Sequence, residues 1–299
     1  MSKILVIGSL NLDYVIDVEE MPKIGETIIG NSIKKVPGGK GANQAYAIGK
    51  LGGDVSMIGA VGNDDAGKIL INNLKNVNVN TKGIEIIDNE VTGQAYIHVN
   101  KKGENSITVI SGANSLVDKE LIDRNINLIN DAEYIIMQFE IPLEIVKYVK
   151  EIAISKGKKI IIDPAPAVKN IDKDLYQGSY ILKPNELELA TLSGKELNNI
   201  EEYKTELIKM QSNGVNQVIC TLGEEGCLHY NGEEFKKFDC KKTKVVDTTA
   251  AGDTFTAALV ISLSEGKNIY ESIDFAQKAA SITVSKRGAQ SSIPSRDEI

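Results

Sequence analysis

The chain has 299 residues, 42% of them apolar and 25% charged, with a formal net charge of −7. This is enough apolar material for a sizeable globular core, and no Lys/Arg-rich run offers nucleic acid or an anionic membrane a landing site. Three cysteines (Cys220, Cys227, Cys240) and two histidines (His98, His229) form neither a zinc spacing nor a disulfide framework, which excludes a histidine-rich metal site and points to reduced thiols in a cytoplasmic protein.

The opening "KILVIGS" (Lys3 to Ser9) is too short for a signal peptide and reads as a buried strand. Asp13 to Gly39 follows without a good helix. A helix pattern starts at Ala42, a strand at Val55 and another helix at Ala66. Gly93 to Asn114 alternates apolar and polar residues on both sides of "NKKGEN", a hairpin signal. Strand candidates then begin at Tyr134, Lys159, Tyr180 and Gln217, with helix patterns from Pro142 and Glu201 between them. Two helices, from Ala251 and from Tyr270, lead into the turn-rich tail "KRGAQSSIPSRDEI". No stretch approaches the ~20 apolar residues of a membrane span. Continuous apolar strands alternating with amphipathic helices predict an α/β fold with a mainly parallel central sheet and helices on both faces. Residues 1–299 read as one domain. The segments at about 13–39 and 93–114 read as strands of one small inserted sheet, a lid, or else as two unrelated surface hairpins.

"GNDDAGKI" (Gly62 to Ile69) nearly matches a phosphate-cradling loop, but Ile69 has no hydroxyl for magnesium and Asp64 and Asp65 would repel phosphate. Helix capping explains these aspartates better. "VVDTTAAGDTFTAALV" (Val245 to Val260) is different. Ala250, Ala251 and Gly252 stand where a helix begins, and small residues let an anion approach its free N–H groups. Asp253 would compete with that anion unless it does something else, such as taking a proton from an attacking hydroxyl; the alternative is an ordinary first-turn aspartate. "VPGGKGANQA" (Val36 to Ala45) offers a tight turn, a cation at Lys40 and Asn43 opening a helix. In "KPNELE", Asn185 and Glu188 have capping-box spacing, or supply oxygen ligands near a hydrated magnesium ion. Asn11 and Asp13, two apart in an extended segment, point to the same side and can grip sugar hydroxyls. Asn11, Asp13, Glu140, Asn185 and Thr221 all follow strand candidates, and open parallel sheets bind ligands beyond those strand ends.

Taken together, "GGKGANQA" (Gly38 to Ala45), "KPNELE", "TLGEEG" (Thr221 to Gly226) and "DTTAAGDTF" (Asp247 to Phe255) resemble the ribokinase-like (phosphofructokinase-B) carbohydrate kinases over nearly the whole length. The resemblance implies transfer of the γ-phosphoryl group of ATP to a sugar hydroxyl, for ribose the 5-hydroxyl. It implies Asp253 as the catalytic base and the N–H groups of Ala250, Ala251 and Gly252 as an anion hole. Asn11, Asp13, Gly39, Lys40, Gly41, Asn43, Glu140 and Asp253 match the sugar site. Asn185 and Glu188 match the region organising Mg–ATP, and Thr221, Gly223, Gly226, Gly252 and Gln277 match nucleotide contacts. Asp247, Thr249, Thr283, Lys286, Gly288 and Ser292 match a potassium site built mainly from backbone carbonyls; Asp247 is also a suitable hard ligand by itself. The resemblance further implies that the lid pairs with its twin in a homodimer. A kinase of 2-deoxyribose, another sugar or a nucleoside, and a non-catalytic sugar-binding regulator, are the alternative readings.

Overall fold

A computed structural model describes residues 2–299. The chain starts with β1 (Ile4–Ile7), β2 (Asn11–Asp17) and β3 (Ser32–Gly38), then enters helix α1 (Lys40–Lys50). β4 (Val55–Gly62), α2 (Asp65–Lys75) and β5 (Asn80–Ile87) follow, then the hairpin β6 (Gly93–Val99) and β7 (Asn105–Ile110). Two short helices, α3 (Lys119–Arg124) and α4 (Ile126–Asp131), lead to β8 (Tyr134–Met137) and α5 (Leu143–Ser155). β9 (Lys159–Ile162), β10 (Ile181–Leu182), α6 (Glu186–Ser193), α7 (Ile200–Ser212) and β11 (Gln217–Thr221) come next. The hairpin β12 (Cys227–Tyr230) and β13 (Phe235–Phe238) precedes the last helices, α8 (Ala251–Ser264) and α9 (Ile269–Val284).

Nine strands form the main sheet in the order β13-β12-β11-β10-β9-β8-β1-β4-β5. Pairings from β5 to β11 are parallel, and the two at the β13 edge are antiparallel. Both faces are covered, which is why the inner strands are apolar without a break. In β1, Ile4 and Val6 pack with residues of α1, α2, α8 and α9, while Leu5 and Ile7 pack with residues of α3, α5 and α7. Helix α8 is buried along nearly its whole length, a core helix with apolar residues all round.

The remaining four strands form a second sheet, β3-β2-β6-β7. β2 pairs with β3 antiparallel and with β6 parallel, so the two inserted segments make one sheet and not two unrelated hairpins. Asn11 and Gly38 are paired at its inner end.

Several elements differ from the sequence pattern. β5, the β12–β13 hairpin and the helices α3 and α4 are not among the expected elements; β5 is interrupted by Gly83 and charged residues, and the others are four to six residues long. β10 shrinks to two residues because Pro184 cannot donate to a ladder. Helix α1 begins at Lys40, so Asn43 lies inside it and does not open it.

Candidate active site

From β1 the chain moves outward to β4 and β5, and from β8 it moves the other way to β9, β10 and β11. Strand order therefore reverses between β1 and β8, and the crevice beyond their carboxyl ends is where open parallel sheets bind ligands. Ser9 and Glu140 sit just past those two ends. The Glu140 carboxylate accepts hydrogen bonds from the Ser9 hydroxyl and from the Lys40 N–H (2.9 Å), tying both strand ends to the first turn of α1. A carboxylate is favoured at that helix terminus.

The glycines of "GGKG" let α1 lie against the β1–β2 connection. Gly39 has φ 85°, and a Cβ on Gly41 would meet the Ser9 nitrogen at 2.6 Å and the Gly8 carbonyl carbon at 2.7 Å. These obstacles are backbone and cannot step aside. Gly41→Ala is expected to cost about 1–3 kcal/mol through overpacking, lowering Tm by roughly 5 °C in a thermal melt.

Asp253 lies in the first turn of α8 and is only 6% exposed. Its Oδ2 accepts from Asn43 Nδ2 (3.0 Å) and its Oδ1 from Gln44 Nε2 (3.0 Å). Gln44 Nε2 also donates to Asp163 Oδ2 (2.9 Å), and Gln44 Oε1 accepts from Gln138 Nε2 (2.6 Å). Gln290 Nε2 holds Asn43 through its Oδ1 (3.0 Å). Four amide side chains thus fix one carboxylate. Burial pushes the Asp253 pKa up, and Lys40 opposes that rise.

The free N–H groups at the start of α8 differ from the trio expected to form an anion hole. Ala250 is left-handed (φ 60°), and the Ala251 N–H is already taken by the Thr248 carbonyl at 3.2 Å. The Gly252 and Asp253 N–H groups have no partner among the described residues, so they replace Ala251 as the free donors.

Asn11 and Asp13 share one side of β2, beside Glu140 and Asp253. Asn11 is 4% exposed, and its Oδ1 accepts from Asn114 Nδ2 (2.8 Å). The Asp13 pKa is raised to about 7, first by burial and then by Glu140 and Asp253. Burial alone would lower the Lys40 pKa, but Asp253, Glu140, Asp163 and Glu188 hold it above its ordinary value. A cleft of about 450 Å³ opens here between Asn11, Asn114, Glu140 and Val109 of β7.

Asn185 and Glu188 form a reciprocal capping box on α6, each side chain accepting the other's N–H at 2.8 Å. One Glu188 carboxylate oxygen is left without a hydrogen-bond partner among the described residues. Thr221 continues the sheet by a bridge to Asn185. Beyond it, Gly223 and Gly226 form the turn into β12. Gly226 has φ 91°, and a Cβ there would meet the Cys240 nitrogen at 2.7 Å. Gln277 is buried beside this turn and spends an amide N–H on the Phe238 carbonyl (3.2 Å), so its side chain is engaged with the protein.

Asp247 fixes the loop before α8. Its Oδ1 accepts from the Thr249 N–H (2.9 Å) and hydroxyl, and its Oδ2 from the Gly288 N–H (2.9 Å). The carbonyls of Thr249, Lys286, Gly288 and Ser292 accept no hydrogen bond among the described residues. Thr283 is less available: its hydroxyl bonds Thr254 within the core and its carbonyl takes the Lys286 N–H. No cluster of three or more His, Cys, Asp or Glu side chains suited to a metal is present among the described residues. Asp64 caps α2 through the Gly67 N–H (2.8 Å), and the phosphate-loop reading there fails as expected.

Sequence reasoning missed Gln44, Gln138, Asp163, Lys183 and Gln290 as site residues. Asp163 and Lys183 sit just past β9 and β10, so the strand-end rule that selected Glu140 could have found them. Gln138, just past β8, falls under the same rule, and Gln44 lies within "GGKGANQA"; Gln290 carried no such signal.

The family model described as pfkB family carbohydrate kinase matches residues 1–296. A ribokinase from Schizosaccharomyces pombe is 40% identical, covering 100% of this chain and 97% of that one. A deoxyribokinase from Salmonella typhi is 32% identical over 99% of this chain and 96% of its own. The structure of Arabidopsis thaliana ribokinase complexed with ribose and ATP superposes with a TM-score of 0.94 at 34% identity, covering 100% of this chain and 97% of that one. With a family model spanning almost every residue and relatives matched end to end, the chain belongs to the pfkB family of carbohydrate kinases.

Proposed function

We propose that this protein transfers the γ-phosphoryl group of ATP to the 5-hydroxyl of D-ribose. The observation that carries the reading is Asp253, a buried carboxylate oriented by Asn43 and Gln44 beside the free N–H groups of Gly252 and itself. A base and an anion hole on the same turn are what phosphoryl transfer to a hydroxyl requires. The ribokinases among the relatives and the ribose- and ATP-bound neighbour support the choice of substrates.

In this mechanism Asn11, Asp13, Gly39, Lys40, Gly41, Asn43 and Glu140 hold the sugar so that one hydroxyl faces Asp253. Asp253 accepts its proton as the oxygen attacks the γ-phosphorus. The Gly252 and Asp253 N–H groups bind charge developing on the transferring group, and Lys40 offsets the negative charge around the sugar. Thr221, Gly223 and Gly226 line the nucleotide side, where glycine lets a base or ribose lie close to backbone. The unpartnered oxygen of Glu188, with Asn185, fits the hydration shell of a magnesium ion, which would neutralise phosphate charge. Asp247 and the unbonded carbonyls of Thr249, Lys286, Gly288 and Ser292 fit a potassium ion, which would add positive charge beneath the loop carrying the anion hole.

The four-stranded sheet serves as a lid within a single domain, because its inner end carries Asn11 and Asp13 to the cleft. Its exposed Ile33, Ile107, Val109 and Ile110 support pairing of two lids in a homodimer. No helix among the described residues is long and apolar enough to cross a membrane, in keeping with a cytoplasmic location.

The test is ADP release with Mg–ATP and ribose, 2-deoxyribose, fructose or adenosine, with and without potassium. Strong ribose-dependent release, raised by potassium over sodium, is the expected result. The Salmonella typhi relative makes 2-deoxyribose the second reading, and preference for that sugar would select it. Ribose binding without any turnover would favour a regulator. Equal rates in potassium, sodium and neither would remove the cation site.

A further inference from the structure

We propose that Lys183 is a further catalytic residue, whose buried ammonium binds the oxygens of the phosphoryl group in transit beside the N–H groups of Gly252 and Asp253. The inference rests on the kinase reading above. Lys183 follows the two-residue β10, and its backbone N–H is held by the Ile162 carbonyl of β9 (2.9 Å), so its main chain is part of the sheet. Its side chain is 3% exposed.

An ammonium carries three N–H donors. The one acceptor within reach of Lys183 Nζ among the described residues is Asp163 Oδ1, at 3.3 Å. The other oxygen of that carboxylate is already shared by Gln44 and Thr256 (3.3 Å). Buried donors left unpaired are costly. The same ammonium lies 3.6 Å from where a Cβ of Gly252 would stand, against the first turn of α8. That turn is the positive end of a helix, and against the cost of burial the Asp163, Glu188 and Asp253 carboxylates keep the ammonium charged beside it, with the Lys183 pKa raised. Spare ammonium donors and two unpaired backbone N–H groups thus lie at the same turn, with no hydrogen-bond acceptor beyond Asp163 taken by the ammonium among the described residues. A phosphoryl group with three equatorial oxygens supplies the acceptors. Lys40 shares Asp253, Asp163 and Glu188 with Lys183 as charged neighbours and differs in facing Glu140, whose carboxylate takes its backbone N–H on the sugar side.

Replacing Lys183 alone would strand the Asp163 charge, so the test uses the pair Asp163→Asn/Lys183→Met, which removes both charges at similar shape. The double variant is expected to bind ribose within about threefold of the unaltered protein by calorimetry, and to lose kcat by about 100-fold or more at every pH. Turnover within tenfold of the unaltered protein would overturn the proposal. So would recovery of kcat at high pH, which would mean that Lys183 acts on the ionisation of Asp253 and not on the phosphoryl group. Should the double variant not fold, crystals of the unaltered protein with ribose, magnesium ADP and aluminium fluoride decide. Lys183 Nζ within about 3.2 Å of a fluorine supports the contact, and a separation beyond about 4 Å overturns it. An unaltered protein that releases no ADP with ribose would instead count against the kinase reading itself.

Discussion

Asp253→Asn is expected to lower kcat by about 10³-fold while changing ribose affinity by no more than about tenfold. The substitution removes the buried carboxylate placed in the first turn of α8 to take a proton, yet keeps the side chain's shape. It also changes the hydrogen bonding. Asp253 accepts from both Asn43 and Gln44, and an asparagine amide can accept at its oxygen alone. One of these amides must turn, and if Gln44 turns it gives up its bond from Gln138. Some loss in sugar binding through Asn43 is therefore included, but it is one hydrogen bond against a lost base. The pH profile separates the two. Burial raises the Asp253 pKa, and the base works ionised, so kcat of the unaltered protein falls as pH drops through that raised value. The asparagine variant should show no such limb. A variant with unaltered kcat, or one retaining the acid limb, would move the base elsewhere.

The sheet was legible in the sequence because strands covered on both faces write themselves as unbroken apolar runs. β1, β4, β8, β9 and β11 start within a residue or so of their expected positions. Edge strands carry weaker marks. β5 pairs on one side only, and β12 and β13 have four residues each, too few to show a period. The site divided along a similar line. Motif positions such as Asn11, Glu140, Asn185 and Asp253 fall at strand ends or at a helix start, where sequence position alone implies exposure to a ligand. Gln44 lies within the glycine-rich motif and Gln138 just past β8, but what each one holds is set by contacts spanning 209 and 94 residues of sequence, which no local pattern records. The Ala251 N–H illustrates another limit: small residues mark a place where an anion can approach, but which donors remain free depends on one turn bond to Thr248.

Asp13→Asn should weaken ribose binding and yet make the ligand-free protein more heat-stable at alkaline pH. The two effects have one cause. Asp13 is a carboxyl brought out of water near Glu140 and Asp253, with a folded pKa of about 7 against an ordinary 3.8. A folded state that holds a proton more tightly than the unfolded chain is favoured by acid. The ionised form therefore costs stability above pH 7, and the cost fades as pH falls through 7 and is gone near pH 4. Asparagine has no charge to bury, so its Tm gain should be roughly 5 °C at pH 8.5 and close to nothing at pH 4. The opposite slope would mean that Asp13 is stabilised as an anion, with a lowered pKa. For binding, the variant gives up a charge-assisted hydrogen bond to a sugar hydroxyl, about 1.5–3 kcal/mol, or roughly 10- to 150-fold in ribose affinity. The unaltered protein should also lose ribose affinity as pH falls below 7, because Asp13 then takes up a proton, whereas the variant should not. A carboxylate that strains the empty site but grips the sugar is the usual cost of placing function in a core, and calorimetry of ribose binding from pH 6 to pH 8.5 measures both halves of it.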